Sequence, residues 1–256
     1  MEVRSGYPAP GAAMNISPKI IVLNVPMISP IMGPTMIYPV LLKDEDGLTL
    51  IDTGMFGQSD ALLQAIENSG EPLSNLKRII LTHQDIDHIG NLPLLAAKLP
   101  GIQLFAHPGD LPVINGSQPM LKMTPQRIAQ MPPAFQEQMN LFLEQLTQLS
   151  SITELHDGQQ LPWGGGIEII HTPGHTPGHI SLYVPGEELL LAADELRVVD
   201  GQLAGPAESA TPDMPLALRS LRKLEGRKIR SVLCYHGGLY EGSPQELIDT
   251  LAGTHE

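Results

Sequence analysis

The densest group of reactive side chains in the sequence lies in one short polar run. Two imidazoles and two carboxylates fall within six residues there, in the run Leu81-Thr82-His83-Gln84-Asp85-Ile86-Asp87-His88-Ile89-Gly90. Histidine nitrogens and carboxylate oxygens are ligands that Zn²⁺ takes in proteins. The apolar residues around the run place it on a loop between a strand and a helix, where a rigid scaffold can aim the four groups together. The spacing therefore predicts metal binding rather than a solvated loop.

Three further candidates lie in the second half of the chain. His175 is the central histidine of the run His171-Thr172-Pro173-Gly174-His175-Thr176-Pro177-Gly178-His179, whose Pro-Gly pairs indicate tight turns. Asp194 follows the apolar stretch Leu189–Ala192, and His236 follows the apolar stretch Ser231–Cys234. Each candidate stands just past the carboxyl end of a predicted strand, so these side chains can converge at one edge of the fold.

The elements that must position these groups are short strands and helices. Apolar and β-branched runs predict strands at Ile20–Met27, Met36–Lys43, Leu48–Asp52, Lys77–Thr82, Ile102–Ala106, Ile167–Ile170, Ile180–Val184, Leu189–Ala192 and Ser231–Cys234. Helical spacing predicts helices at Asp60–Asn68, Leu92–Lys98, Ala134–Leu149, Met214–Leu224 and Pro244–Leu251. Two β-rich halves with helices after each predict an α/β fold, a four-layer αββα sandwich with two sheets face to face.

The domain organisation follows from length and composition. A chain of 256 residues allows one large domain, which we place at residues 20–256 after a flexible N-terminal lead-in at residues 1–19. Residues 108–151 are rich in Gln, Met, Leu and Pro, and they predict a helical insertion. The apolar face of its long helix either packs on the core or forms a lid or dimer surface over a site.

Charge and composition restrict the partners. The chain has 15 Lys and Arg against 28 Asp and Glu, a net charge of −13, which disfavours nucleic acid and anionic membranes. Prolines interrupt the apolar stretch at residues 20–42, and the N-terminus lacks the pattern of a signal peptide. One cysteine, Cys234, fits a reducing compartment. We therefore expect a cytoplasmic protein with a small-molecule substrate and no nucleic acid or membrane partner, with a homodimer left open.

The motifs together resemble the metallo-β-lactamase superfamily, over about Ile20 to Leu251. The matching motifs, in the family's order, are Ile51-Asp52-Thr53-Gly54, Thr82-His83-x-Asp85-x-Asp87-His88-x-Gly90, Thr172-Pro173-Gly174-His175-Thr176, Ala193-Asp194 and Tyr235-His236-Gly237-Gly238. The resemblance implies the sandwich fold with the metal ligands at one edge of the two sheets. It implies a first metal on His83 and His175, a second on Asp87, His88 and His236, and Asp194 as the bridge between them. Asp52 would support the ligand loop through hydrogen bonds.

Asp85 departs from the family's pattern, because most members have a second histidine there. Its carboxylate either binds the first metal or only orients a ligand. As a ligand, it would make two divalent ions (+4), three carboxylates (−3) and one hydroxide a neutral cluster. We expect two divalent metal ions, with zinc first and manganese, iron or cobalt as alternatives, since extra oxygen ligands favour the harder metals.

The resemblance also implies a function. We expect a dinuclear metal-dependent hydrolase in which a metal-bridging hydroxide attacks a small ester, lactone or phosphotriester, while Asp87 or Asp194 moves the proton to the leaving group. An acyl-homoserine lactonase is one alternative, although such lactonases carry a tyrosine where this chain has Arg197. A di-iron redox protein is a second alternative, but it would need a flavodoxin-like partner domain. Hydroxyacylglutathione hydrolases rank lower, since their basic C-terminal region is short here.

Four other residues have side chains that could act as ligands or reactive groups. His175 is preferred to His171 and His179 because only it has Thr-Pro-Gly before it and Thr after it. His107 either lines the pocket or is a strand-end histidine bonded to the backbone. Cys234 is interpreted as a core thiol rather than a nucleophile.

Overall fold

Runs of leucine and β-branched residues form the strands of two main sheets. The computed structural model describes residues 10–29, 33–149 and 151–253. In chain order its strands are β1 (Ala13–Ser17), β2 (Ile20–Leu23), β3 (Val25–Ser29), β4 (Gly33–Ile37), β5 (Val40–Asp44), β6 (Gly47–Ile51), β7 (Leu76–Leu81), β8 (Gln103–Ala106), β9 (Ile152–Glu154), β10 (Gln160–Leu161), β11 (Ile167–His171), β12 (Ile180–Val184), β13 (Leu189–Ala193), β14 (Arg197–Val199), β15 (Gln202–Ala204), β16 (Ser231–Cys234) and β17 (Gly238–Tyr240).

The helices lie between these strands. They are α1 (Ser59–Asn68), α2 (Ile86–Ile89), α3 (Leu92–Lys98), α4 (Leu111–Ile114), α5 (Pro125–Ile128), α6 (Pro133–Leu146), α7 (Met214–Ser220) and α8 (Pro244–Gly253). Short 3₁₀ turns lie at Leu73–Asn75, Trp163–Gly165, Pro185–Glu187, Glu208–Ala210 and Leu221–Leu224. Among the described residues, none of these helices has both the length and the apolar character needed to cross a membrane.

The strand order brings the carboxyl ends of several strands to one edge. The first sheet has the order β1-β2-β5-β6-β7-β8-β9, and the second has the order β10-β11-β12-β13-β16-β17. The pairs β6·β7, β7·β8 and β8·β9 are parallel in the first sheet, and β13·β16 is parallel in the second. Loops that follow parallel strands leave the sheet at the same edge, so residues after β6, β7, β13 and β16 can meet.

Alternating side chains divide the core into three interfaces, as the pleat of a strand requires. Residues from both sheets fill the interface between them, including Val22, Leu42, Ile80, Leu182, Leu191 and Leu233. The other face of the first sheet packs on α1, α3 and α6 through residues such as Leu41, Ile79, Leu62, Leu95 and Phe142. The other face of the second sheet packs on α7 and α8 through residues such as Leu190, Val232, Leu218 and Ile248. These layers confirm the predicted four-layer α/β sandwich.

The helical insertion packs on the core. Helix α6 buries Met139, Phe142 and Leu146. The Phe142 ring lies 5.0 Å from the ring of Phe56, between the centroids. This contact supports the first of the two interpretations left open for the apolar face, while Leu141 on the same helix is 55% exposed.

Two predicted strands are interrupted in the structure, and part of the predicted lead-in forms a strand. The predicted strand Ile20–Met27 breaks at Asn24, and the predicted strand Met36–Lys43 breaks before Val40. Strand β3 follows the first break and β4 precedes the second, and the two pair with each other in a separate two-stranded sheet. Pro39 lies at the second break, and proline cannot donate a ladder hydrogen bond. Strand β1 lies within the predicted flexible lead-in, whose residues 1–9 are outside the described residues.

Candidate metal centre

The seven predicted ligands lie together where strands of both sheets end. His83, Asp85, Asp87 and His88 follow β7, and His175 lies on the loop between β11 and β12. Asp194 follows β13 and His236 follows β16. Two residues at this edge have left-handed backbone, Asp52 with φ 61° and Ala193 with φ 48°. Such conformations are costly for residues other than glycine and are found at functional sites.

The first cluster contains His83, Asp85, His175 and Asp194, whose ligand atoms lie within 4.8 Å of one another. The Asp85 Oδ2 atom is 3.4 Å from His83 Nε2 and 3.0 Å from His175 Nε2. The Asp194 Oδ2 atom is 3.4 Å from His175 Nε2. Two imidazoles and two carboxylates thus converge on one point.

The second cluster contains Asp87, His88 and His236. Asp87 Oδ2 is 3.1 Å from His236 Nε2 and 3.9 Å from His88 Nε2. Asp194 also borders this cluster, because its Oδ2 atom is 3.5 Å from His236 Nε2 and its Oδ1 atom is 3.3 Å from His88 Nε2. Asp194 therefore lies between the two clusters.

Several buried atoms of the clusters fit a bound cation. His83 Nε2, His88 Nε2 and Asp194 Oδ1 have no hydrogen-bond partner among the described residues. A buried polar atom without a partner is costly, and each such atom in a native fold calls for an explanation. All three point into the clusters and are of types that bind divalent metals, so the residues present fit the metal ions implied by the sequence.

Asp52 fixes the orientation of two ligands. Its Oδ1 accepts from the Thr82 backbone N–H at 2.8 Å, and its Oδ2 accepts from the Thr82 hydroxyl at 2.7 Å. The same Oδ2 is 2.8 Å from His88 Nδ1, which donates to it. Because the Thr82 hydroxyl donates to Asp52, its oxygen accepts from His83 Nδ1 at 3.0 Å. Both imidazoles then carry their proton on Nδ1 and present Nε2 to the clusters, which confirms the supporting role predicted for Asp52.

The three histidines of the His171–His179 run have different surroundings. His175 Nδ1 lies 3.1 Å from Thr211 Oγ1, and its Nε2 faces the first cluster. His179 is buried, and its Nε2 accepts from the Asp194 backbone N–H at 3.2 Å. The His171 ring stacks on the His107 ring, with centroids 3.7 Å apart. The structure therefore brings His175 into the site, and His179 holds the backbone of Asp194.

Asp110 is a structural residue that the sequence did not reveal. Its carboxylate is fully buried and accepts hydrogen bonds from Gln84, Thr176 and Gly178. These bonds tie the loop after β7 to the loop that carries His175. The position of Asp110 shortly after β8 was the one available signal, because β8 is the next parallel strand beyond β7.

Tyr235 also contributes to the site, although no role was predicted for it. Its ring centroid lies 3.8 Å from that of His88, and its hydroxyl donates to the Asp87 backbone oxygen at 2.6 Å. Gly174 is needed beside His175, since its φ is +136° and a Cβ there would lie 2.2 Å from the Ala217 backbone nitrogen. Both residues restrict where ligands can sit.

Charges in the clusters set the protonation of the ligands. Burial alone would raise the pKa of Asp194, but His236 and His88 hold it well below its usual range. Burial would lower the pKa of His88, but Asp52 and Asp194 raise it well above its usual value. In the same way, Asp194 and Asp87 outweigh burial and raise the pKa of His236 to about 10. Without metal, the carboxylates around the second cluster therefore favour the protonated forms of His88 and His236.

Lys122 reaches the first cluster from the helical insertion. Its Nζ lies 2.5 Å from Asp85 Oδ2 and 2.7 Å from His175 Nε2. The sequence did not point to this residue, because its neighbours, Pro-Met-Leu before it and Met-Thr after it, form no recognisable motif.

His107, Cys234 and Arg197 lie outside the clusters. His107 Nδ1 accepts from the Gly109 backbone N–H at 3.1 Å, in agreement with a strand-end histidine bonded to the backbone. Cys234 is a buried free thiol in the core beneath α7 and α8, as predicted. Arg197 Nε donates to the Gly205 backbone oxygen at 3.0 Å, so this side chain ties β14 to the loop after β15.

Comparison with known proteins identifies the family and the fold. The metallo-beta-lactamase superfamily model matches residues 32–236. The probable metallo-hydrolase YflN of Bacillus subtilis (strain 168) is 30% identical over 223 residues, 78% of this chain and 80% of that protein. A hydroxyacylglutathione hydrolase of Idiomarina loihiensis is 26% identical over 201 residues, 78% of this chain and 60% of that protein. The crystal structure of a metallo-beta-lactamase family protein from Thermus thermophilus has a TM-score of 0.66 at 25% identity and covers 94% of this chain and 80% of that one.

The chain therefore belongs to the metallo-beta-lactamase superfamily, and it is a metal-dependent hydrolase. The chain spans 60% of the length of the Idiomarina enzyme, so that enzyme's substrate does not transfer with the fold.

Proposed function

We propose that the protein uses two divalent metal ions to hydrolyse a small ester, lactone or phosphotriester. The position of Asp194 carries this proposal, because its two carboxylate oxygens face ligands of both clusters. A carboxylate shared in this way would suit a pair of divalent metals, as two-metal hydrolases use.

The ligand assignment follows the two clusters. His83, Asp85 and His175 would hold the first metal, and Asp87, His88 and His236 the second, with Asp194 between them. Asp85 Oδ2 faces both histidines of the first cluster, which supports its assignment as a ligand. Zinc is the first choice for imidazole and carboxylate ligands, and the extra carboxylate makes manganese, iron or cobalt alternatives.

Bound metals would supply a water molecule of lowered pKa and a positive charge that polarises the substrate oxygen. The residues of the chain supply the rest of the chemistry. Asp87 gives one carboxylate oxygen to its cluster, and its side chain is 18% exposed, so its second oxygen can take the proton of the attacking water and pass it to the leaving group. The Tyr235 hydroxyl holds the Asp87 backbone, which keeps this carboxylate in place.

A hydroxyacyl thioester is the second candidate substrate, because the similarity to hydroxyacylglutathione hydrolases extends over 78% of this chain. The lactonase alternative gains no support at position 197, where the arginine side chain bonds to Gly205. We therefore place a thioester beside esters, lactones and phosphotriesters in the test.

The test is a substrate panel with metal-stripped protein. Aryl esters, lactones, an aryl phosphotriester and a hydroxyacylglutathione are offered to chelated protein before and after Zn²⁺ or Mn²⁺ is added. We expect turnover of at least one class only with metal, and a loss of about 100-fold or more in Asp87→Asn. Asp46→Asn is the matched control, because exposed Asp46 lies in the turn before β6, at the end of that strand away from the site. Metal-dependent turnover of none of these substrates would overturn the proposal.

A further inference from the structure

Lys122 is held over the first cluster by the backbone around it. Met120 and Met123 on either side are buried in the core. The Leu121 backbone N–H donates to Gln84 Oε1 at 3.0 Å, and the Lys122 backbone oxygen accepts from the Arg127 guanidinium at 3.1 Å. The base of this lysine side chain is therefore fixed, and its ammonium is carried on the flexible four-carbon stem of lysine.

The Lys122 ammonium contacts two of the four groups in the first cluster. Its Nζ lies 2.5 Å from Asp85 Oδ2 and 2.7 Å from His175 Nε2, and the side chain is 18% exposed. A metal ion takes such oxygen and nitrogen atoms at about 2.0–2.2 Å. A metal bound to the same two atoms would therefore lie where the ammonium lies, and two cations cannot share that position.

We propose that the Lys122 ammonium and a metal ion are alternative occupants of the first cluster, so that metal binds first to Asp87, His88 and His236. The inference rests on the proposed two-metal centre, but it does not depend on which reaction the centre catalyses. Metal binding at the first cluster then requires the Lys122 side chain to rotate away, and this displacement weakens the first cluster relative to the second.

The charges around Asp85 support the competition. Asp85 Oδ2 lies 2.5 Å from the Lys122 Nζ atom, 3.4 Å from His83 Nε2 and 3.0 Å from His175 Nε2. The carboxylate of the first cluster therefore already has a cationic side chain in contact with it. The second cluster has no lysine or arginine in ion-pair contact with its carboxylate among the described residues, since its ion pairs join Asp87 to His236 and His88.

The test compares metal binding in three variants. Lys122→Met keeps the length of the side chain without its charge, Lys122→Arg keeps a charge, and Lys98→Met changes an exposed lysine at the end of α3. Zn²⁺ is titrated into each chelated protein against a chromophoric chelator. We expect two unequal binding steps in the wild type. Lys122→Met should tighten the weaker step by about tenfold or more, while Lys122→Arg and Lys98→Met leave it weak.

Denaturant unfolding separates competition from a purely structural role. When metal occupies the first cluster, the wild-type Lys122 side chain has already rotated away, so Lys122→Met loses no contact there. When no metal is bound, the same substitution leaves the Asp85 carboxylate without its ammonium partner. We therefore expect Lys122→Met to lower the unfolding midpoint of the chelated protein and to leave that of the Zn²⁺-saturated protein close to wild type. An equal decrease in both forms indicates a structural contact and overturns the proposal, as does an unchanged weaker step in the titration.

The outcomes also distinguish this inference from the proposed hydrolysis. A tightened step in Lys122→Met with no turnover of the substrate panel supports the competition and overturns the hydrolytic function. Turnover with metal affinities that do not change in Lys122→Met supports the function and overturns the competition. Failure of every variant to bind Zn²⁺ overturns both.

Discussion

Replacing Asp52 by asparagine removes one oxygen from a site where both oxygens are used. The carboxylate accepts from the Thr82 backbone, the Thr82 hydroxyl and His88 Nδ1, all of them buried. In either orientation of the asparagine side chain, its NH₂ group then faces a hydrogen-bond donor instead of an acceptor. If its nitrogen takes the Oδ1 position, it meets the Thr82 N–H. If its nitrogen takes the Oδ2 position, His88 must accept at Nδ1 and carry its proton on Nε2, where the metal binds.

The size of the effect follows from these contacts. Loss of a residue that orients metal ligands costs about 10–100-fold in metal affinity, or about 1.4–2.7 kcal/mol. A buried hydrogen bond to a charged group contributes about 1.5–3 kcal/mol, so we expect the chelated variant to lose about 2–3 kcal/mol of unfolding free energy. Asp46→Asn, the exposed control, should change neither quantity by more than about 0.5 kcal/mol.

The assay is a Zn²⁺ titration against a chelator, with urea unfolding of the chelated proteins alongside. Weakened binding together with lower stability in Asp52→Asn supports the role of Asp52 in fixing His88 and His83. If Asp52→Asn binds Zn²⁺ within twofold of wild type, Asp52 does not set the protonation of these ligands, and the hydrogen-bond argument is refuted.

Three further predictions concern residues outside the clusters. Burial and the neighbouring His171 lower the pKa of half-buried His107 to about 4. Neutral His107 therefore contributes to the stability of the native state above about pH 6.5, and this contribution is lost as the pH falls through 4. An NMR titration should show that His171→Phe raises the pKa of His107. Gly174→Ala should lower the unfolding free energy by about 2–4 kcal/mol, and Gly57→Ala, at a positive φ with open space, by about 1–2 kcal/mol. A thiol reagent should label Cys234 only after urea unfolds the protein, since the thiol is buried and its pKa is raised.

Each of these predictions has a contrary result. An unchanged His107 titration in His171→Phe would show that the His171 imidazole does not lower the pKa of His107. Equal stabilities of the two glycine variants would contradict the close contact at Gly174. Rapid labelling of Cys234 in the native protein would mean that this part of the core opens.

Strands built around a run of buried apolar residues were predictable from the sequence, because burial on both faces needs no knowledge of the neighbours. Strands β7 and β16 are of this kind, and the predicted and observed ranges differ by at most one residue at either end. Strands β14 and β15 were missed, because each has three residues and the pair forms a two-stranded sheet of its own. Such a short pairing depends on its partner strand rather than on its own composition.

In the candidate site, residues close together in the sequence were predictable, whereas residues that reach the site through tertiary contacts were not. His83, Asp85, Asp87 and His88 could be predicted as ligands because four metal-binding side chains within six residues carry a local signal. The contribution of Lys122 comes from tertiary contacts, since it reaches Asp85 across 37 positions of the sequence. Asp110 and Tyr235 likewise act through partners distant in sequence, and a single chain does not show which distant residues pair.

The most direct test of the central claim is the rate of hydrolysis as metal is returned to the chelated protein in measured equivalents. If the two clusters joined by Asp194 form the reactive centre, turnover is absent without metal, rises as metal is added up to about two equivalents, and does not recover in Asp194→Asn. Turnover that persists in chelated wild-type protein, or recovers fully in Asp194→Asn, would contradict the account.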